Sequence, residues 1–272
     1  MNIKMIVAYD GTRYFGWQRT KMGPSVQGAL EEGLYCLLGR WIEVEGASRT
    51  DRGVHARGQV VSWRMEGEVE LEKLAYRLNA VLAWDIRVLK VEEVEEGFHP
   101  SLDALGKEYR YRICNEDVED PMNRLYAWHV HERLDWETMR KCAKTLLGTH
   151  DFGAFTTMKS KDTIRTLFEI EICALEKLVE IRIVGDRFLY KMMRRLVGTL
   201  VGAGRGKISE VDVIHLLETP DPAKAGVTAP AHGLFLQEVY FTSGVYDFEK
   251  RSLLVRERAK VEEMPLSRNS FE

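Results

Sequence analysis

The chain has 272 residues, 45% hydrophobic and 30% charged, which is ordinary globular usage and excludes a disordered chain, a collagen-like fibre and a disulfide miniprotein. At about 150 residues per domain the length suggests two domains or one large one. Lysine and arginine number 39 and aspartate and glutamate 42, a net charge of −3, and this balance alone argues mildly against a nucleic-acid partner, because such domains tend to be basic.

Residues 3–9 form a β-prone run stopped by the Asp10-Gly11 turn. Their apolar stretch is too short for a signal segment or a membrane span, and no later window reaches about 18 apolar residues. Ser25 is placed to cap a helix through Leu38, with Val26, Leu30, Leu34 and Leu37 on one face. Residues 42–47 and 57–64 read as strands joined by a short polar segment. Leu71, Leu74, Leu78 and Leu82 mark a second amphipathic helix, and 86–94 a further strand.

The pattern restarts near Gly97–Gly106. Residues 107–114 alternate with period two, and the segment from Leu125 to Val130 is a candidate partner strand. Asp135 caps a predicted helix through Leu147. Strands are predicted at 164–173 and 178–185, and a long helix at 187–203. Ser209 with Asp212 suggests a capping box for 209–218. Residues 219–232 read as a Pro-, Ala- and Gly-containing loop, 234–241 as a strand, and the stretch from about 247 to 272 is charged and weakly patterned. Strands joined by hairpins as well as by helices imply an α+β fold with a mixed or antiparallel sheet. The expected organisation is an N-terminal half over 1–104, a C-terminal half over 105–247 and a charged extension over 248–272. The four cysteines, Cys36, Cys114, Cys142 and Cys173, form no CxxC. They read as reduced core thiols of a cytoplasmic protein.

Several familiar signatures fail. Gly202-Ala-Gly204-Arg-Gly206-Lys207 follows a helix, and Lys207 precedes Ile208 rather than Ser or Thr, so a helix-terminating glycine is the better reading than a phosphate loop. His131-Glu132 lacks the second histidine of HExxH; His129 and His131 are either a two-histidine metal pair or surface residues. No metal or nucleotide cofactor is indicated.

Asp51 stands between Arg49 and Arg52 in a short polar loop. Flanking guanidinium groups favour an ionised carboxylate, which could serve as nucleophile or base; the alternative is an aspartate that orders its own turn. Basic residues concentrate in three segments: Arg49, Arg52, Arg57 and Arg64; Lys107, Arg110 and Arg112; and Arg187, Lys191, Arg194, Arg195, Arg205 and Lys207. Tyr109, Tyr111, Phe188 and Tyr190 are interleaved with them. Cations neutralise phosphates and aromatic rings stack on splayed bases; solvated strand and helix faces are the other reading.

The run Arg49-Thr50-Asp51-Arg52-Gly53-Val54-His55-Ala56 resembles the catalytic motif of the TruA family of tRNA pseudouridine synthases. Other segments agree in order. They are Tyr9 to Gln18, Ser25-Val26-Gln27, Lys107 to Tyr111, His150-Asp151-Phe152 with Phe155, Phe188 to Arg194 with Gly198, and His232 to Leu236. The resemblance covers about residues 3–241. It implies two α/β halves about a central mixed sheet with a cleft between them, and a homodimer. It implies isomerisation of uridine to pseudouridine in the tRNA anticodon stem-loop, at tRNA positions 38, 39 and 40, without cofactor. On this reading Asp51 is the catalytic aspartate. Arg49 supports the flipped nucleotide, Tyr109 stacks on the base or takes part in proton transfer, and Arg194 pairs with Asp51. Leu234 or a neighbour walls the pocket or simply packs in the core. The rival readings are a synthase acting on another RNA or tRNA position, and a catalytically silent RNA-binding module.

Overall fold

The computed structural model describes residues 1–67, 69–175 and 177–241. The expected extension over 248–272 lies outside them. Ten strands form one sheet. They are β1 (Asn2–Tyr9), β2 (Glu45–Gly46), β3 (His55–Arg64), β4 (Ile86–Val94), β5 (Gly106–Cys114), β6 (Trp128–His129), β7 (Gly148–Asp151), β8 (Ile164–Leu175), β9 (Leu178–Gly185) and β10 (Leu234–Tyr240). The helices are α1 (Val26–Leu38), α2 (Leu71–Val81), α3 (Trp136–Thr145), α4 (Met192–Gly204) and α5 (Glu210–Glu218).

Strand alternation does what period two requires. Ile3, Met5, Val7 and Tyr9 of β1 are all buried, and so are Tyr109, Tyr111 and Ile113 of β5. The caps are made as the sequence implies. Ser25 accepts from the Gly28 N–H, Asp135 from those of Glu137 and Thr138, and Ser209 and Asp212 form a reciprocal capping box. The apolar faces of the helices join the strands in a core that runs through both parts of the chain, from Leu30 and Leu78 to Phe152 and Leu196.

The sheet order is β4-β1-β3-β10-β5-β9-β8-β7, with β2 beside β3 and β6 beside β5. The last strand therefore lies in the middle. β10 runs parallel to β3, with Phe235 opposite His55, and antiparallel to β5, with Leu236 opposite Tyr109. It brings the end of the Asp51 loop beside the tyrosine strand, although the two are distant in sequence.

Three elements differ from the expectation, each for a local reason. The strand expected at 42–47 contracts to Glu45–Gly46 because side chains take the backbone groups of Val44. Its N–H donates to the Glu31 carboxylate at 3.1 Å, and its carbonyl accepts from Gln27 Nε2 at 3.0 Å. The helix expected from 187 begins at Met192. Lys191 before it has φ +60°, and it is the only non-glycine with positive φ among the described residues. Such a residue cannot continue a right-handed helix, so 187–190 fold back as a loop. The strand β7, absent from the sequence reading, pairs with β8 through Thr149 opposite Thr166; four residues are too few for periodicity to register. The glycine run ends a helix as expected: α4 stops at Gly204, and Gly206 takes φ +70°. Of the four cysteines expected in the core, Cys114 and Cys142 are buried, whereas Cys36 and Cys173 are exposed.

The loop between α5 and β10 lies close against α4. A Cβ on Gly198 would stand 1.7 Å from the Val227 carbonyl oxygen, so the backbones meet where only glycine fits. Gly198→Ala should therefore destabilise the fold by at least about 1–3 kcal/mol, lowering Tm by roughly 2–4 °C per kcal/mol in thermal unfolding followed by circular dichroism.

Candidate active site

The loop from Ser48 to Val54 connects β2 to β3 and carries Asp51. It is held from several sides. Thr50 Oγ1 and the buried Tyr9 hydroxyl are 2.7 Å apart, and the Thr50 carbonyl accepts from the Trp17 N–H at 3.0 Å. Gly16 (φ +97°) permits that approach, since a Cβ there would lie 2.6 Å from the Thr50 oxygen. Ser48 bonds through its N–H and carbonyl to the Gln59 amide at 3.2 and 2.6 Å. Gly53, at φ +80°, turns the chain back into β3.

His55 closes the loop. The buried imidazole accepts the Gly11 N–H at Nδ1, 3.0 Å, so Nε2 carries the proton and faces the Leu125 and His232 carbonyls, each at 3.1 Å. Burial pushes its pKa down against the opposing pull of Asp10, so the neutral ring is the form that fits. One side chain thus ties the Asp51 loop to three other segments.

Arg194, in the first turn of α4, reaches Asp51. Its Nη1 lies 2.9 Å from Asp51 Oδ2, and its Nε donates to the Ala229 carbonyl at 2.7 Å. The two side chains are 15% and 19% exposed, so the pair is neither a solvated surface bridge nor fully desolvated. The guanidinium is oriented by its second bond, and its bond to the carboxylate is charge-assisted. Asp51 Oδ1 takes no hydrogen bond among the described residues and is left available.

These groups open onto a cavity of about 640 Å³, lined among others by Arg49, Asp51, Tyr109, Phe188, Arg194 and Leu234. That volume suits a single nucleotide-sized group. Tyr109 is buried, with its ring edge-on to Phe188 at 5.0 Å and its hydroxyl 2.7 Å from Ser48 Oγ. Burial pushes its pKa up to about 12, assisted by the negative charge of Asp51 and opposed by the Ser48 bond. Tyr109 is thus a neutral phenol at physiological pH. Arg49 is exposed at the rim and pairs with no carboxylate among the described residues. All four site residues named from the sequence, Arg49, Asp51, Tyr109 and Arg194, therefore line one cavity. Sequence reasoning passed over Ser48 and Gln59, which shape the loop. The motif run contained His55 but gave no sign of its carbonyl partners.

The basic segments do not behave as units. Lys107 and Tyr109 share one face of β5, whereas Arg110 and Arg112 occupy the other. There Arg110 pairs with Glu108 and Glu180 at 2.7 and 3.0 Å, Arg112 with Glu180 at 3.2 Å, and Arg182 with Glu108 and Glu169 at 2.9 Å each. In the third segment Arg195 donates to the Pro222 carbonyl and Arg205 pairs with Glu132. These arginines hold the fold, and the cations left for an anionic ligand are fewer than the sequence count. His129 bonds the Glu116 carbonyl at 2.9 Å. No cluster of three His, Cys, Asp or Glu able to hold a metal occurs among the described residues, and no described helix is long and apolar enough to cross a membrane.

An ion-paired carboxylate with a free oxygen faces an aromatic-walled cavity with cations at its rim, an arrangement chemically able to serve as nucleophile or base beside a flat, anionic ligand. A family model described as tRNA pseudouridine synthase matches residues 5–101 and 142–242. Asp51 lies in the first segment and Arg194 in the second; Tyr109 lies between them. A relative named tRNA pseudouridine synthase A 2, from Protochlamydia amoebophila, is 44% identical over 246 residues, covering 88% of this chain and 94% of its own. Relatives named tRNA pseudouridine synthase A from Acetivibrio thermocellus and Thermoanaerobacter sp. are 41% and 42% identical over 242 residues, each match covering 88% of this chain and 99% of theirs. The chain belongs to the TruA family of tRNA pseudouridine synthases. It is thereby an isomerase, and its α+β mixed sheet is the pseudouridine synthase fold.

Arg194→Met removes a charge-assisted hydrogen bond worth about 1.5–3 kcal/mol, so kcat/KM should fall on the order of 10- to 150-fold. Arg194→Lys should recover only part of this, because one ammonium cannot serve both Asp51 and Ala229. A difference ultraviolet titration of wild type against Tyr109→Phe should show no phenolate from Tyr109 between pH 7 and 10, since desolvation raises the pKa and delays ionisation.

Proposed function

We propose that this protein converts uridine to pseudouridine in the anticodon stem-loop of tRNA, at positions 38, 39 and 40, with Asp51 as the essential carboxylate. The observation that carries this reading is the Asp51–Arg194 pair. Arg194 holds the half-buried carboxylate through Oδ2 and leaves Oδ1 open towards the cavity beside Tyr109.

The target base is stacked within the RNA, so it must be extruded at a cost of a few kcal/mol. The cavity takes the extruded nucleotide, and the Tyr109–Phe188 pair offers its ring an aromatic wall. Arg49, at the rim, supports the flipped backbone by meeting a phosphate. In the reaction the bond between C1′ of the ribose and N1 of the uracil breaks, and its electron pair leaves with the ring. The ring turns, C5 bonds to C1′, the proton on C5 is lost and N1 is protonated. Atoms and charge balance without an oxidant or an energy source. Asp51 acts either on the sugar carbon or on a ribose proton. The relatives' names support tRNA as the substrate. The chain is read as two catalytic halves, 1–104 and 105–247, of a cytoplasmic homodimer.

With a tRNA transcript tritiated at uracil C5, wild type should release tritium to water as C5 exchanges hydrogen for carbon. Asp51→Asn should bind the same tRNA and release none. Chemical mapping of the product should place pseudouridine at 38, 39 or 40. Turnover by Asp51→Asn would remove the essential-carboxylate assignment, and modification elsewhere would redirect the substrate.

A further inference from the structure

Lys107 is the first residue of the tyrosine strand that faces the cavity, two positions before Tyr109, and the scheme above leaves it unused. It is only 7% exposed. Its ammonium donates to the Ala47 carbonyl at 2.7 Å, which accounts for one of three N–H donors. No carboxylate pairs with it among the described residues. The nearby charges of Asp186 and Arg187 act on it in opposite directions, and burial pushes its pKa down to about 8, so it remains mostly protonated at neutral pH. A charge buried without an anion is costly to the fold. The other residues of this strand face, Tyr109, Tyr111 and Ile113, are buried and carry no charge.

The other cavity cations are differently engaged. Arg194 is committed to Asp51 and Ala229, Lys191 lies over the Tyr190 ring at 5.0 Å, and Arg49 is exposed. The reaction creates one further negative charge besides Asp51. When C1′–N1 breaks, the ring holds the electron pair and spreads it over its carbonyl oxygens. A fixed cation in a site that excludes water stabilises such a charge well.

We propose that Lys107 is a further catalytic residue, whose buried ammonium donates a hydrogen bond to a carbonyl oxygen of the extruded uracil and stabilises the ring anion released on C1′–N1 cleavage. The lysine keeps its proton throughout, and no covalent bond to it forms. This rests on the reading of the cavity as the site of uridine isomerisation. Its bond to Ala47 also leaves a purely structural role, holding the loop beside Ser48, as the competing account.

Single-turnover rates with full-length protein separate the two. Two tRNA transcripts are used, one with uridine and one with 5-fluorouridine at the modified position; in the second the electron-withdrawing fluorine itself stabilises the ring anion, and because its C5 holds no proton to lose, the reaction is followed as loss of the starting nucleoside rather than as pseudouridine formed. Lys107→Met should slow consumption of uridine on the order of 10²-fold and that of 5-fluorouridine much less. Affinity for tRNA should be unchanged and Tm should move little, since removal of a buried charge offsets the loss of the donor to the Ala47 carbonyl. Lys107→Arg should restore part of the uridine rate. Equal losses on both transcripts, a loss confined to affinity, or an unchanged uridine rate would each overturn the proposal. Lys107→Gln, nearly isosteric and neutral, substitutes if the methionine variant does not fold. Failure of wild type itself to form pseudouridine, with Asp51→Asn indistinguishable from it, would instead overturn the reading of the cavity.

Discussion

The ion pair between Asp51 and Arg194 joins side chains 143 residues apart, and most of the architecture serves to make that contact possible. Asp51 sits on a loop that β3 and the N-terminal segment hold in place. Arg194 sits on a helix whose first turn is set by a left-handed Lys191. The closing strand β10 lies between β3 and β5 and sets the spacing of the two parts, while the preceding segment supplies the Ala229 carbonyl that aims the guanidinium. A carboxylate held this way is fixed through one oxygen and open at the other, and is neither fully exposed nor fully buried.

The net charge of −3 and an RNA substrate are compatible once the cations are sorted by partner. Arg110, Arg112 and Arg182 are interleaved with Glu108, Glu169 and Glu180 on one sheet face. Arg110 and Arg182 stand directly opposite each other in the ladder, an arrangement that would repel without the intervening glutamates. Those charges cancel locally. The groups left facing the cavity, Arg49, Lys107, Lys191 and Arg194, outnumber the acids there even though the whole chain is acidic. Phosphates respond to the local field and not to the total, because screening limits the reach of distant charges to about 10 Å.

Much of the fold was legible because it rests on local physics. The caps at Ser25, Asp135 and Ser209, the alternation of β1 and β5, and the apolar stripes of α1 and α2 are each set by neighbours in sequence. The departures arise where a distant group intervenes. Glu31 and Gln27 take the backbone groups of Val44 and end a strand that composition alone favours. Lys191 takes a conformation that four preceding helix-compatible residues do not announce, and Phe188 is thereby turned against Tyr109. β7 is a strand only because β8 offers it an edge.

The sequence alone determined most of the elements, the family resemblance and the four residues expected at the site, since these depend on residue type, short spacing and an ordered set of motifs. Only the tertiary structure decided which cations are spent and which face the cavity. In the run from Lys107 to Arg112 adjacent positions look alike as text, yet the pleat sends Lys107 and Tyr109 to the cavity and Arg110 and Arg112 to a lattice of glutamates. The register with β9 and β10 selects those partners, and that register is set by strands far away in the chain.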